Sequence, residues 1–183
     1  MPSRREFLEG AIGLPLSLFF LPRDVFGVTE PIEDAIDRGG PFSVALLACD
    51  VPNTNGNIYP QEVVEQAIKE FEDEKLYGGM DFTLDIHRPG IQMKDIAFTV
   101  EHLRFAEDND IHKGQWLWGD VQILNTPQGR LMKDVLRQSG GLDQYAFRTA
   151  GIGKIEHKQG NHVIKDYKLL AIGMAPVEQA AAF

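Results

Sequence analysis

Two segments of helical period sit inside text that otherwise runs at strand period, and that order leaves few folds open. "PFSVALLACD" reads as a buried strand, and "VPNTNGNIYP" after it is a loop rich in Asn, Gly and Pro. From Gln61 onward, Val63, Val64, Ala67, Ile68 and Phe71 recur at helical spacing, just after Pro60, which predicts an amphipathic helix ending near "LYGG". "MDFTLDIH" then alternates, with Phe82, Leu84 and Ile86 on one side and Asp81, Thr83, Asp85 and His87 on the other. "DIAFTVEHLRF" and "GQWLWGDVQIL" read as a hairpin joined through "AEDNDIHK". "NTPQGRLMKDVLRQSGG" carries helix punctuation at both ends: Thr126 as N-cap, Pro127 at the first position, glycines after the last. "QYAFRTAGIGKIEH" and "HVIKDYKLLAIGM" form a last strand pair around "KQGN".

The predicted order is strand, helix, three strands, helix, two strands. Helices inserted into a strand meander predict an α+β fold, a mostly antiparallel β-barrel with flanking helices, rather than a doubly wound sheet. No glycine-rich phosphate loop of either standard spacing is present. The expected division is an arm over residues 1–40, one domain over 41–176 and a tail over 177–183.

The 183 residues suffice for one domain with a core. A net charge of −9 argues against a nucleic-acid surface, which needs clustered Lys and Arg. The single cysteine, Cys49, excludes an intrachain disulfide and a cysteine zinc cluster, and its place after "VALLA" predicts a buried thiol. At the start, "SRREFLEG" precedes the apolar run "AIGLPLSLFFLP", which resembles a twin-arginine export signal but lacks an A-x-A cleavage site. The run is too short to span a bilayer and contains Pro15. It reads either as an arm packing on the body or a neighbouring subunit, or as an export signal with a periplasmic destination.

Among titratable residues, His87 ends a strand on its polar side beside a turn, where an imidazole can serve as a general base near neutral pH. Asp85 shares its side. Glu70 flanks the apolar stripe of the first helix, where a carboxylate could orient an imidazole or be solvated. His102, His112, His157 and His162 show no metal-site spacing, and no cofactor is implied. Trp116 and Trp118 share one face of a strand, as core or a buried interface.

Together these pieces resemble the prohead core proteases of tailed bacteriophages, which share the herpesvirus assemblin fold, over about Phe42 to Ala175. "NTNGNIYP" with "QEVVEQAIKEF" resembles that family's Asn-Arg-Asn-x-x-Tyr-Pro signature and following helix. "LDIHRPG" resembles its Leu-Asn-His-Pro element, with Arg88 inserted. "DNDIHKGQWLWGDVQILNTPQGRLMKDVL" resembles its hairpin, Thr-Pro-x-Gly start and helix, and "YKLLAIGMAP" its closing strand. The resemblance implies that His87 is the catalytic histidine and Glu70 its acidic partner, Glu replacing the usual Asp. It also implies a serine in a Ser-x-Arg or Ser-Ser-Arg-Gly-x-Gly strand. Anchored on Arg148, the serine position is Ala146; anchored on "GIG", the serine positions are Arg148 and Thr149. Neither register supplies a serine, and "AFR" keeps the small-x-Arg spacing. Alanine has no oxygen to attack a carbonyl. Three explanations stay open: a natural pseudo-protease, a serine-to-alanine variant, or Thr149 as nucleophile, with Ser139 a weaker substitute. The implied partners are scaffold and major capsid proteins and a second copy in a homo-oligomer, with no nucleic acid and no membrane, inside a virion precursor in the host cytoplasm. "FLEG" and "VEQA" are candidate self-cleavage points.

Overall fold

The computed structural model describes residues 32–53, 55–71, 75–80, 91–107, 115–138, 142–158 and 160–177. Helix α1 (Ile32–Arg38) opens the described chain and buries Ala35 and Ile36 in the main core. It stops at Gly39 and Gly40, whose φ of 95° and 109° few other residues adopt. Strand β1 (Phe42–Ala48) follows, then the two-residue β2 (Asn57–Ile58) and helix α2 (Gln61–Ile68). As its spacing predicts, α2 buries Val64 and Ala67 and rests Val63 and Ile68 against the core.

The helix does not run on toward "LYGG". It tightens into a 3₁₀ turn over Lys69–Phe71, and Leu76–Met80 is strand β3. Of the two glycines that read as a helix stop, Gly78 serves packing instead: a Cβ there would lie 2.0 Å from Cε2 of Phe98. Of the expected strand "MDFTLDIH", only Met80 falls among the described residues. Strands β4 (Phe98–Glu107) and β5 (Gln115–Ile123) form the expected antiparallel pair. Helix α3 (Pro127–Gln138) starts as its punctuation predicts, with Gly129 N donating to Thr126 Oγ1 at 2.9 Å. The Thr126 hydroxyl also donates to the Ile96 carbonyl at 2.7 Å, tying the cap to the segment before β4. Strands β6 (Tyr145–Lys158) and β7 (Asn161–Pro176) form a long hairpin.

The sheet matches the expectation of a mostly antiparallel barrel only in part. Its order is β1-β5-β4-β3-β7, with β6 on the far edge of β7 and β2 beside the start of β7. Both β3 and β2 run parallel to β7, so the sheet is mixed. Residue periodicity reports which side of a strand is buried but not which strand lies next to it, so the parallel pairs carried no local signal. The sheet curls until β1 meets β6, where Phe42 and Phe147 contact edge to face at 6.2 Å, but no backbone ladder among the described residues joins those strands. The result is an α+β half-barrel.

The concave side holds the main core, with Phe98, Leu117, Met132, Ile172 and Met174 all at 2% exposure or less. Cys49 lies in it, as the sequence predicts; burial, with Asp50 and Glu65 nearby, pushes its thiol up to about 12. A second small cluster on the other face joins Trp116 and Trp118 to Ala48. Among the described residues no helix is long and apolar enough to cross a membrane.

Candidate functional site

The register of β6, β7 and β3 places the sequence-derived candidates. Phe147 pairs with Met174, which pairs across β7 with Met80; Arg148 pairs with Gly173, which pairs with Gly79. Residues paired in register share a face, and neighbours along a strand alternate. Phe147 and Met174 belong to the main core, so Ala146 and Arg148 lie on the opposite face. That face carries Ala146, Arg148 and Ala150 from β6, Ala171, Gly173 and Ala175 from β7, and Gly79 from β3. It is a floor of small side chains with one arginine. Ala146, Ala171 and Ala175 are buried, yet they belong to neither apolar cluster. Arg148 is half-buried.

Thr149 is not part of this floor. It sits on the core face with Phe147, and its hydroxyl shares a hydrogen bond with the phenol of Tyr167. Burial drives the Tyr167 hydroxyl far up, an effect that the Thr149 hydrogen bond opposes and nearby Tyr59 reinforces. The Tyr167 ring also accounts for a glycine in "GIG". A Cβ on Gly151 would collide with the Lys168 carbonyl oxygen and lie 2.6 Å from Tyr167 Cε2, so that glycine answers to a close backbone approach and a ring on the core side rather than to a ligand.

Glu70 is exposed in the 3₁₀ turn after α2. Asp85 and His87 lie outside the described residues, as do Ser139, His112, "FLEG", the "RREF" start and the chain beyond Val177. What the fold does fix is where the segment bearing Asp85 and His87 departs. Met80 ends β3 two strands from Phe147, about 10 Å at the usual strand spacing.

A second polar group went unnoticed in the sequence because its members are far apart along the chain. Ser43 Oγ donates to Asp120 Oδ1 at 2.6 Å, Arg104 donates to the same oxygen at 3.0 Å and to Ser43 Oγ at 2.9 Å, and His102 Nδ1 lies 3.2 Å from Asp120 Oδ2. The residue types are those of a hydrolytic triad, but the connectivity is not. Hydroxyl and imidazole bind separate oxygens of one carboxylate, so the carboxylate stands between the serine and any base. His102 reaches Asp120 from a left-handed position, φ 51°, inside a register shift of β4. The group fastens β1, β5 and β4 together. Among the described residues no set of three or more His, Cys, Asp and Glu could hold a metal ion.

No family model matches the sequence, and comparison with curated proteins finds no match. Among solved structures the chain is similar to the bacteriophage T4 capsid assembly protease, gp21. The TM-score is 0.57 and the identity 16%, and the match covers 75% of this chain and 88% of that one. At that identity the likeness is one of fold: this chain has the α+β fold of a phage capsid assembly protease.

Proposed function

We propose that the chain is a capsid-maturation protease-like protein whose nucleophile position is Ala146. One observation carries this reading. On a fold similar to a capsid assembly protease, Ala146 occupies a buried small-residue floor two strands from the point where the His87 segment leaves β3. His87 is seven residues beyond Met80, within reach of about 25 Å of chain. In this reading His87 is the general base, Asp85 or Glu70 orients it, and Arg148 supports the oxyanion side of the cleft. The substrates are extended tails of scaffold and major capsid proteins, met inside a virion precursor. The body over residues 41–176 carries the cleft.

With a methyl group at position 146 the base has no proton to take, and hydrolysis falls by roughly 10⁶ relative to a serine. The sequence as it stands therefore describes a cleft that binds without cutting. Ala146→Ser, incubated with scaffold and major capsid proteins from the same source, is expected to cleave them, with activity abolished by a further His87→Ala. An Ala146→Ser protein that cuts neither these proteins nor itself would defeat the peptidase reading. It would leave a structural virion module built on the same fold, detectable as a stoichiometric component of mature particles.

A further inference from the structure

We propose that the free edge of β6 near the hairpin tip is a two-fold interface with a second copy of this chain, centred on Ile155. β6 forms a ladder with β7 alone, and over Gly151–Lys158 no strand among the described residues lies along its other edge. An unpaired strand edge is a template for another strand unless something blunts it. The apolar content here is anomalous too. Ile155 pairs with Ile164, which is 5% exposed and part of the main core, yet Ile155 is 54% exposed.

Hairpin geometry says which backbone groups face outward. Lys158 and Asn161 close a two-residue turn, so they form a hydrogen-bonded pair, and the pairs inward from them alternate. By that alternation Glu156 and Lys154 spend their amide and carbonyl on β7, whereas Ile155 and His157 present theirs to the free edge. A second β6 strand can then dock antiparallel in only a few two-fold registers. Centred on Ile155, the two copies exchange a pair of backbone hydrogen bonds at that residue. Ile155 meets Ile155 of the second copy on the core side, and Lys154 meets Glu156 of the second copy twice on the other side. Centred on His157, two imidazoles oppose each other, Glu156 meets Lys158 of the second copy twice, and Ile155 has no aliphatic partner across the axis. Both registers set opposite charges across the axis, but only the Ile155 centre places an aliphatic pair on it, and that apolar contact selects the Ile155 centre.

The charges add little to either register, because each already has a partner at the surface. Lys154 pairs with Asp166 at 2.7 Å, and Glu156 with Lys165 at 2.6 Å and Lys158 at 3.2 Å. A ladder this short buries little area, so the dimer is a transient one. This inference stands apart from the peptidase reading, and its failure would leave that reading untouched.

Cysteine placement tests it on the full chain. Cys49 is fully buried and stays out of the reaction. In Ile155→Cys the two Cα atoms across the axis would lie about 5.5 Å apart, within disulfide range. Oxidation at about 100 μM is expected to give a disulfide dimer at least tenfold faster than Leu131→Cys, an equally exposed control on α3. Light scattering of the unaltered chain at that concentration should show mass above the 20.5 kDa monomer, and Ile155→Lys should return it to the monomer. Crosslinking of Ile155→Cys no faster than the control, a faster reaction at His157→Cys, or an unaltered chain that stays monomeric would each overturn the proposal.

Discussion

The hydroxyl of Thr149 is hydrogen-bonded to the buried phenol of Tyr167, on the face of β6 opposite Ala146. Three residues of separation along a strand are enough to divide the two candidates for a nucleophile between two environments. Thr149 belongs to the interior, where Tyr167 packs edge to face on Tyr59 at 5.3 Å. Ala146 belongs to the small-residue floor. Of the two ways of aligning the "AFRTAGIG" stretch, the one anchored on Arg148 keeps the nucleophile position and the arginine on one face. The one anchored on the glycines divides its two serine positions between opposite faces.

A first prediction follows for Thr149. Thr149→Val removes a hydrogen bond to a buried phenol and should cost about 1–2 kcal/mol in urea unfolding. In an Ala146→Ser background it should leave cleavage within about twofold, since a group on the core face touches no substrate. A thousandfold loss of cleavage with unchanged stability would place the Thr149 hydroxyl in the reaction instead.

Gly78 makes a sharper test of packing. Its Cβ would meet three atoms of the Phe98 ring, the nearest at 2.0 Å, and Phe98 is fully buried between β3 and β5. Gly78→Ala should destabilise by about 3 kcal/mol, and Phe98→Leu in the same chain should restore part of that by making room. Additive losses in the double variant would mean that the two residues do not compete for space.

How much of this was legible in the sequence depends on whether the determining contact was local. The cap of α3 was legible because Thr126 and Gly129 are three residues apart, and the β6–β7 hairpin because alternation brackets a short turn. Strand β3 was not, because "LYGGM" has no alternation to show and its Gly78 answers to Phe98, twenty residues on. Neither was the Ser43–Asp120 contact, which spans 77 residues, nor the parallel pairing of β3 with β7. Within the candidate site, small-x-Arg spacing pointed to Ala146 and Arg148, two residues that the register sets on one face of β6. The reason Thr149 is unlike them lay in Tyr167, eighteen residues further along.

Three acids with raised values predict the alkaline limit of stability. Burial lifts the Cys49 thiol from about 9 to about 12 and also lifts Tyr59 and Tyr167. Each group is neutral when folded and ionises more readily when unfolded. The stabilisation is therefore complete below the unfolded values and is lost as pH rises from about 9 toward 12. Unfolding midpoints should fall steeply above pH 9, and Cys49→Ala should flatten the first part of that fall. Cys49 should also resist thiol reagents at pH 8 until the chain is unfolded, and rapid labelling of the native protein would contradict its burial.

The group around Asp120 gives a prediction about coupling. One carboxylate accepts from Ser43 and Arg104 on one oxygen and faces His102 with the other, so three strands depend on it. Asp120→Ala should cost about 1–3 kcal/mol, because the Ser43 hydroxyl and the Arg104 guanidinium both lose an acceptor in a half-buried setting. Ser43→Ala alone should cost less, about 1 kcal/mol, since Arg104 keeps Asp120. Once Asp120 is gone, removing Ser43 should cost almost nothing further, because the hydroxyl has already lost the carboxylate that it donates to. Urea unfolding of the two single variants and the double variant measures this directly. Equal and additive losses would show that Ser43 and Asp120 stabilise their strands independently, and that the shared carboxylate is not what joins β1 to β4.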